Sequence, residues 1–155
     1  MKKSEAPRQM YIEQMLLHAP PTEVFPLLCP VREREWIPGW ECVPIHLSSG
    51  YAEEDGVFTT AFERDGPLDT WIISAYRPPV EIEFVRVNAW RVIRFHIGLK
   101  PEGADQTRAT WRQLITATSD EGRAWLERND EAAYRKGIET LAGMLNRYLA
   151  SAVST

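Results

Sequence analysis

Between residues 41 and 118 the apolar residues of this chain recur mostly at every second position, and from 119 to about 150 at helical spacing. That one change of period restricts the fold more than any other feature. Six runs suit strands: "ECVPIHLSS", "GVFTTAFER", "DTWIISAYR", "VEIEFVRV", "WRVIRFHIGLK" and "TRATWRQLITAT". All are rich in β-branched and aromatic residues. Turn signals stand between them at Ser48-Ser49-Gly50, Asp65-Gly66-Pro67, Pro78-Pro79, Asn88 and Pro101-Glu102-Gly103. Beyond Ser119, the residues Tyr134, Ile138, Leu141, Leu145 and Tyr148 follow at intervals of four, three, four and three, which is one face of a helix. Ser119 suits an N-cap, and Asn129 or Asp130 suits a restart. One long helix and two helices broken near Arg128 both satisfy this pattern.

The first forty residues add a strand and two short helices. "QMYIEQMLLHAP" reads as a strand that must stop at Pro20-Pro21. "PTEVFPLLC" then predicts a short helix with Thr22 as N-cap and Glu23 in its first turn, and Pro26 falls near its start. "VREREW" predicts one more helical turn before the Pro38-Gly39 turn, after which Trp40 opens the next strand. Strands in series followed by a long helix indicate an α+β layer fold on an antiparallel sheet. With 155 residues the chain is expected to form a single domain over 1–155.

Charge and composition remove several function classes. The net charge is −4 and no basic run occurs, so no nucleic-acid partner is expected. No apolar run approaches the length of a membrane span, so no stable membrane insertion is expected either. "MKKSEAPRQM" has lysines without an apolar stretch behind them and does not read as a secretory signal. A cytoplasmic protein with Cys29 and Cys42 as free thiols is therefore expected. No metal is expected: Cys42 and His46 lie roughly 13 Å apart on an extended strand. The nucleophile elbow and phosphate-loop motifs are absent.

Alternation along strands assigns inward faces. Ala109, Trp111, Gln113 and Ile115 form one such set, and Ile93, Phe95, Ile97 and Leu99 another. Ile82 and Phe84 oppose Glu81 and Glu83, while in "DTWIISAYR" the inward pair is taken as Trp71 and Ile73. The Glu/Arg alternation on the opposite faces is read as cross-strand pairing in solvent. No inward carboxylate stands out, and "REREW" reads as a solvated helix face.

Four stretches, "APPTEVFPLLCPVREREWIPGW", "DTWIISAYRPP", "ATWRQLITATSDEG" and "LAGMLNRYLA", make the chain resemble the START-like (SRPBCC) superfamily, within it the polyketide cyclase/dehydrase and lipid transport group. The resemblance implies a helix-grip fold: a seven-stranded curved antiparallel sheet around a long C-terminal helix, with two short helices after the first strand. It also implies a hollow interior for a small lipophilic molecule, without a cofactor. On that reading Trp40, Phe58, Trp71, Ile73, Phe84, Phe95, Trp111, Gln113, Tyr134 and Ile138 would line the ligand site. "CPVREREWIPGW" would be its lid, with Trp40 rather than Trp36 meeting the ligand. Two alternatives belong to the same superfamily. One is a cyclase- or dehydratase-like enzyme using Gln113, Tyr134 and Arg91, against which the missing inward carboxylate weighs. The other is a protein-interaction module. Monomer and dimer both remain open.

Overall fold

A computed structural model describes residues 6–153. The strands are β1 (Arg8–Leu17), β2 (Val43–His46), β3 (Val57–Thr60), β4 (Asp69–Arg77), β5 (Glu81–Val87), β6 (Arg91–Pro101) and β7 (Thr107–Ala117). They form one seven-stranded antiparallel sheet in the order β1-β7-β6-β5-β4-β3-β2. Consecutive strands from β2 to β7 are therefore neighbours, and β1 closes the series beside β7. Alternation along each strand sets one face inward. Phe58, Trp71, Ile73, Ile82, Phe84, Ile97 and Trp111 are all at most 5% exposed, whereas Ile72 is 38% exposed. The inward assignment of Trp71 and Ile73 follows from that contrast.

The outer face carries charge. His96 Nε2 lies 3.1 Å from Glu81, and Arg94 lies 4.0 Å from Glu83 on the neighbouring strand. Such exposed pairs contribute little, about 0–1 kcal/mol each.

The chain leaves β1 through Pro20-Pro21 into α1 (Pro21–Val24), which passes directly into a 3-10 turn at Phe25–Leu28. Its N-cap is Pro20 with extended backbone and no side-chain cap, not Thr22. Pro21 at the first helical position explains the shift, because its fixed φ and missing N–H suit that place. A second 3-10 turn, Glu33–Glu35, follows as expected. Trp40 does not open a strand; it sits in the loop before β2, held by its Nε1 donating to Pro30 O at 2.8 Å.

The C-terminal helical region is broken. The α2 helix (Asp120–Arg128) begins at Ser119, whose hydroxyl accepts from Gly122 N at 3.0 Å. It ends at Asn129, and α3 (Glu131–Val153) restarts with Asp130 Oδ1 accepting from Ala133 N at 2.9 Å. Gly122 lies so close to the Trp90 carbonyl that a Cβ there would overlap it. Gly66, at φ +95°, meets the ring of the same tryptophan on another side. Both glycines let the chain close around Trp90.

The α3 helix lies across the inner face, packing Ile138, Leu145 and Leu149 into the same apolar cluster as Phe58, Trp71 and Trp111. Asn146 secures it to β1: its Oδ1 accepts from His18 N at 2.9 Å and its Nδ2 donates to Leu16 O at 3.0 Å. This clamp holds α3 near the β1 edge, and space remains between it and the middle strands.

Candidate functional site: a cavity between the sheet and α3

That space consists of two adjoining lobes, one of about 190 Å³ and one of about 250 Å³. Both are lined by Arg64, Arg86, Phe95, Trp111, Gln113 and Leu141. The smaller lobe adds Glu33, Trp40, Trp71 and Phe84, and the larger adds Tyr11, Tyr134 and Ile138. Eight of the ten expected lining residues are thus at the cavity. Phe58 and Ile73 lie outside both lobes, each 0% exposed. Phe58 stacks on Trp71 at 5.2 Å and serves as backing for the cavity wall. Trp36 is also core, its Nε1 donating to Leu27 O at 2.8 Å.

The wall is a chain of aromatic contacts. Trp40 meets Trp71 edge-on at 6.2 Å, Trp71 meets Phe84 at 5.7 Å, and Phe95 tilts on Trp111 at 5.2 Å. Such pairs prefer offset or edge arrangements to face-to-face ones.

Polar groups in this wall were harder to foresee. Arg86 follows Ile82 and Phe84 on the inward face of β5, and its guanidinium lies 4.1 Å over the Trp71 ring. It donates to Asp65 at 3.0 Å and to Asp69 at 2.5 Å. Asp69 in turn binds Arg91 in two prongs, at 2.6 and 3.0 Å. Arg91 is 0% exposed, backed by Trp125, and lines neither lobe. Its expected part in chemistry at the cavity does not fit this position, since both terminal nitrogens are committed to Asp69. The alternation that places Ile93 inward also places Arg91 inward, and that signal was present in the sequence.

Two carboxylates therefore correct the expectation that none points inward. Asp69 is 1% exposed and fully paired. Glu33 is the more consequential. Its 3-10 turn eclipses residues three apart. Arg32 and Glu35 share the outer face, paired at 3.0 Å, while Glu33 shares a face with buried Trp36. Glu33 thus turns into the smaller lobe, and "REREW" is a solvated face only in part. Among the described residues none hydrogen-bonds or pairs with its carboxyl group, and burial pushes that group well above the ordinary carboxylate range. The i, i+3 spacing from Glu33 to Trp36 was the available signal.

Tyr134 stacks on Tyr11 at 5.6 Å, and burial followed by the Glu13 carboxylate raises its phenol above the usual range. Its Oη and the Nε1 of Trp111 are both buried without a partner. Leaving such a group unmet costs about 1–3 kcal/mol. The Glu33–Glu35 turn is tied to α3 from outside, where Tyr148 Oη donates to Glu35 at 2.7 Å. A groove of about 280 Å³ near Phe25, Cys29 and Tyr51 lies apart and contains none of these unmet groups. Among the described residues no group of three or more His, Cys, Asp or Glu is placed to hold a metal, and no helix is long and apolar enough to cross a membrane.

No protein-family model matches the chain, and no curated protein matches it significantly. Solved structures do. The Mll3558 protein from Rhizobium loti superposes with a TM-score of 0.68 at 17% identity, covering 94% of this chain and 99% of that one. The Zhui aromatase/cyclase from Streptomyces sp. R1128 gives 0.68 at 14% identity over 92% and 96%. Norcoclaurine synthase from Thalictrum flavum, in complex with dopamine and hydroxybenzaldehyde, gives 0.70 at 9% identity over 95% and 89%. At these identities the likeness is one of shape. The chain has the helix-grip fold of the START-like proteins: a curved seven-stranded antiparallel sheet gripping a long C-terminal helix.

Proposed function

We propose that this protein binds a small lipophilic, aromatic molecule in the cavity between the sheet and α3, as a cytoplasmic carrier or receptor. The observation that carries this reading is an aromatic-walled space beside two donors, Trp111 Nε1 and Tyr134 Oη, that have no hydrogen-bond partner among the described residues. Ligand sites are mostly apolar walls with a few placed polar groups. The space is small, so the ligand is of the size of one or two fused rings. The bound aromatic pair in the norcoclaurine synthase structure is consistent with such a cargo. Native mass spectrometry of protein purified without detergent, together with tryptophan-quenching titrations of two-ring aromatics, tests it. Saturable binding at one-to-one stoichiometry is expected. No copurified ligand and no saturable quenching by any member of the panel would refute it.

A second reading, an enzyme of cyclase or dehydratase type, is favoured by Glu33. A carboxylic acid in a water-poor aromatic cavity is placed to give a proton to a ligand oxygen and take one back. The fold neighbour named an aromatase/cyclase agrees with that class. Turnover of an aromatic ketone or aldol precursor that disappears in Glu33→Gln would establish it. Turnover unaffected by that change would remove Glu33 from the reaction.

A further inference from the structure

The polar groups that this interior leaves unmet have a common sign. Among the described residues four buried side-chain atoms lack a partner: Arg86 Nε, Arg91 Nε, Trp111 Nε1 and Tyr134 Oη. The first three can only donate, and Tyr134 donates as readily as it accepts. Arg86, Trp111 and Tyr134 belong to residues of the cavity wall, and Glu33 stands in the same wall, partnerless. Arg86 gives its terminal nitrogen to Asp65 and Asp69, and Asp69 also holds Arg91.

We propose that Glu33 is the polar anchor of the cavity, donating a hydrogen bond from its carboxyl group to an acceptor oxygen of the ligand, and that it selects uncharged carbonyl-bearing aromatics over both bare hydrocarbons and amines. This rests on the binding function proposed above.

The surroundings of Glu33 support a neutral donor rather than a waiting counter-ion. On its own turn Arg32 is committed to Glu35, and Arg34 is exposed. Across the cavity Arg86 is held by two aspartates, and Arg64 lies over the Phe62 ring at 4.9 Å. From the loop before β2 comes Cys42, whose thiol is pushed up to about 11, first by burial and then by Glu33. Burial is what raises Glu33. An amine in this lobe would share it with Arg86 and Arg64, whose positive charges oppose it. A ketone meets donors on several sides, and its rings meet Trp40, Trp71 and Phe84.

Three probes on one ring system test this: naphthalene, 2-acetylnaphthalene and 2-(aminomethyl)naphthalene, titrated into the full chain by calorimetry and tryptophan quenching. The ketone is expected to bind wild type about tenfold more tightly than naphthalene, the increment of one net hydrogen bond, and the amine more weakly than either. Glu33→Leu should reduce the ketone to the level of naphthalene while leaving naphthalene within about threefold. Glu33→Gln, which keeps a donor and the side-chain shape, should retain most of the preference. The wild-type preference should fade as pH rises beyond the ordinary carboxylate range and Glu33 ionises, and that of Glu33→Gln should stay flat. A preference that survives Glu33→Leu, or an amine that binds tightest and depends on Glu33, overturns the proposal while leaving ligand binding in place. If naphthalene and the ketone both fail to bind wild type and both variants, the binding function falls and this inference with it.

Discussion

Asp69 holds Arg91 in a two-pronged ion pair with neither side chain more than 2% exposed. The same carboxylate also accepts from Arg86, which forms the floor of the cavity beneath Trp71. Asp69→Ala would strand the Arg91 guanidinium and leave Arg86 with Asp65 alone. Removing one partner of a buried pair costs about 3–5 kcal/mol, and urea denaturation should show a loss of that size. An Asp69→Leu/Arg91→Leu double variant is expected to lose less than the sum of its singles, since no buried charge is then left bare at Arg91.

Glu33 has the opposite signature. Its carboxyl is raised in the folded state, so the folded protein keeps a proton that the unfolded chain gives up near its ordinary value of 4.5. Stability therefore falls as pH rises through that ordinary value, and goes on falling until the raised folded value is passed. Glu33→Gln should be more stable than wild type at neutral pH, and the two should converge below about pH 4. Thermal melts across that range check the sign; a variant less stable at pH 7 would contradict it.

The Glu33–Glu35 turn is tied to α3 by Tyr148 Oη donating to Glu35, which Arg32 also pairs. Hydrogen bonding to Arg32, then to Tyr148, keeps Glu35 below the usual carboxylate range, so the clamp holds above that range and loosens as pH falls. Tyr148→Phe should change stability by no more than about 1 kcal/mol. Amide exchange over residues 30–40 should nevertheless quicken, together with ligand dissociation.

Trp40 is half-buried, hydrogen-bonded to Pro30 O, and edge-on to Trp71. It sits in a loop and lines the smaller lobe, whereas Trp36 is 5% exposed and packed in the core. Trp40→Ala should weaken binding of a two-ring aromatic by about tenfold, with a stability loss of about 1–2 kcal/mol; Trp36→Ala should cost about 3–5 kcal/mol. If Trp40→Ala unfolds the protein instead, the residue belongs to the core and not to the lid.

Gly137 lies in α3 at the larger lobe, and a Cβ there would meet nothing within 4 Å. Gly137→Ala should stabilise the protein by about 0.8–1.0 kcal/mol through helix propensity alone. Gly137→Leu would project into the cavity side of the helix and should weaken the binding of two-ring ligands, measurable in the same titrations.

Most of the architecture was legible because its signals are local. Alternation set the inner faces of β4 to β7, proline and glycine marked the turns, and Ser119 marked the start of the helical region, where the local pattern suits one helix or two equally and the fold decides for a break at Asn129. Where local rules competed, one reading lost: Pro21 displaced Thr22 at the start of α1, because a proline prefers the first helical position. The aromatic wall was also legible, since tryptophan and phenylalanine on an inward face must meet across the sheet. Phe58 and Ile73 show the limit of that logic. Facing inward decides burial but not whether a neighbour or empty space lies beyond.

The sequence by itself determined the order of elements and the side of the sheet on which each aromatic stands, because periodicity is a property of the chain alone. Only the tertiary structure decided the charge chemistry. Alternation puts Arg86 and Arg91 on the inward faces of Phe84 and Ile93, but only the fold brings Asp65 and Asp69 onto them from other strands and turns, and a buried charge is tolerable only with such partners. Glu33 reads as one of four alternating surface charges until its turn docks with Trp36 down. Its carboxyl then enters a cavity where none of the described residues hydrogen-bonds it, and no arrangement of neighbours in sequence could have shown that, because the space around it is made by residues from β4, β5, β6, β7 and α3.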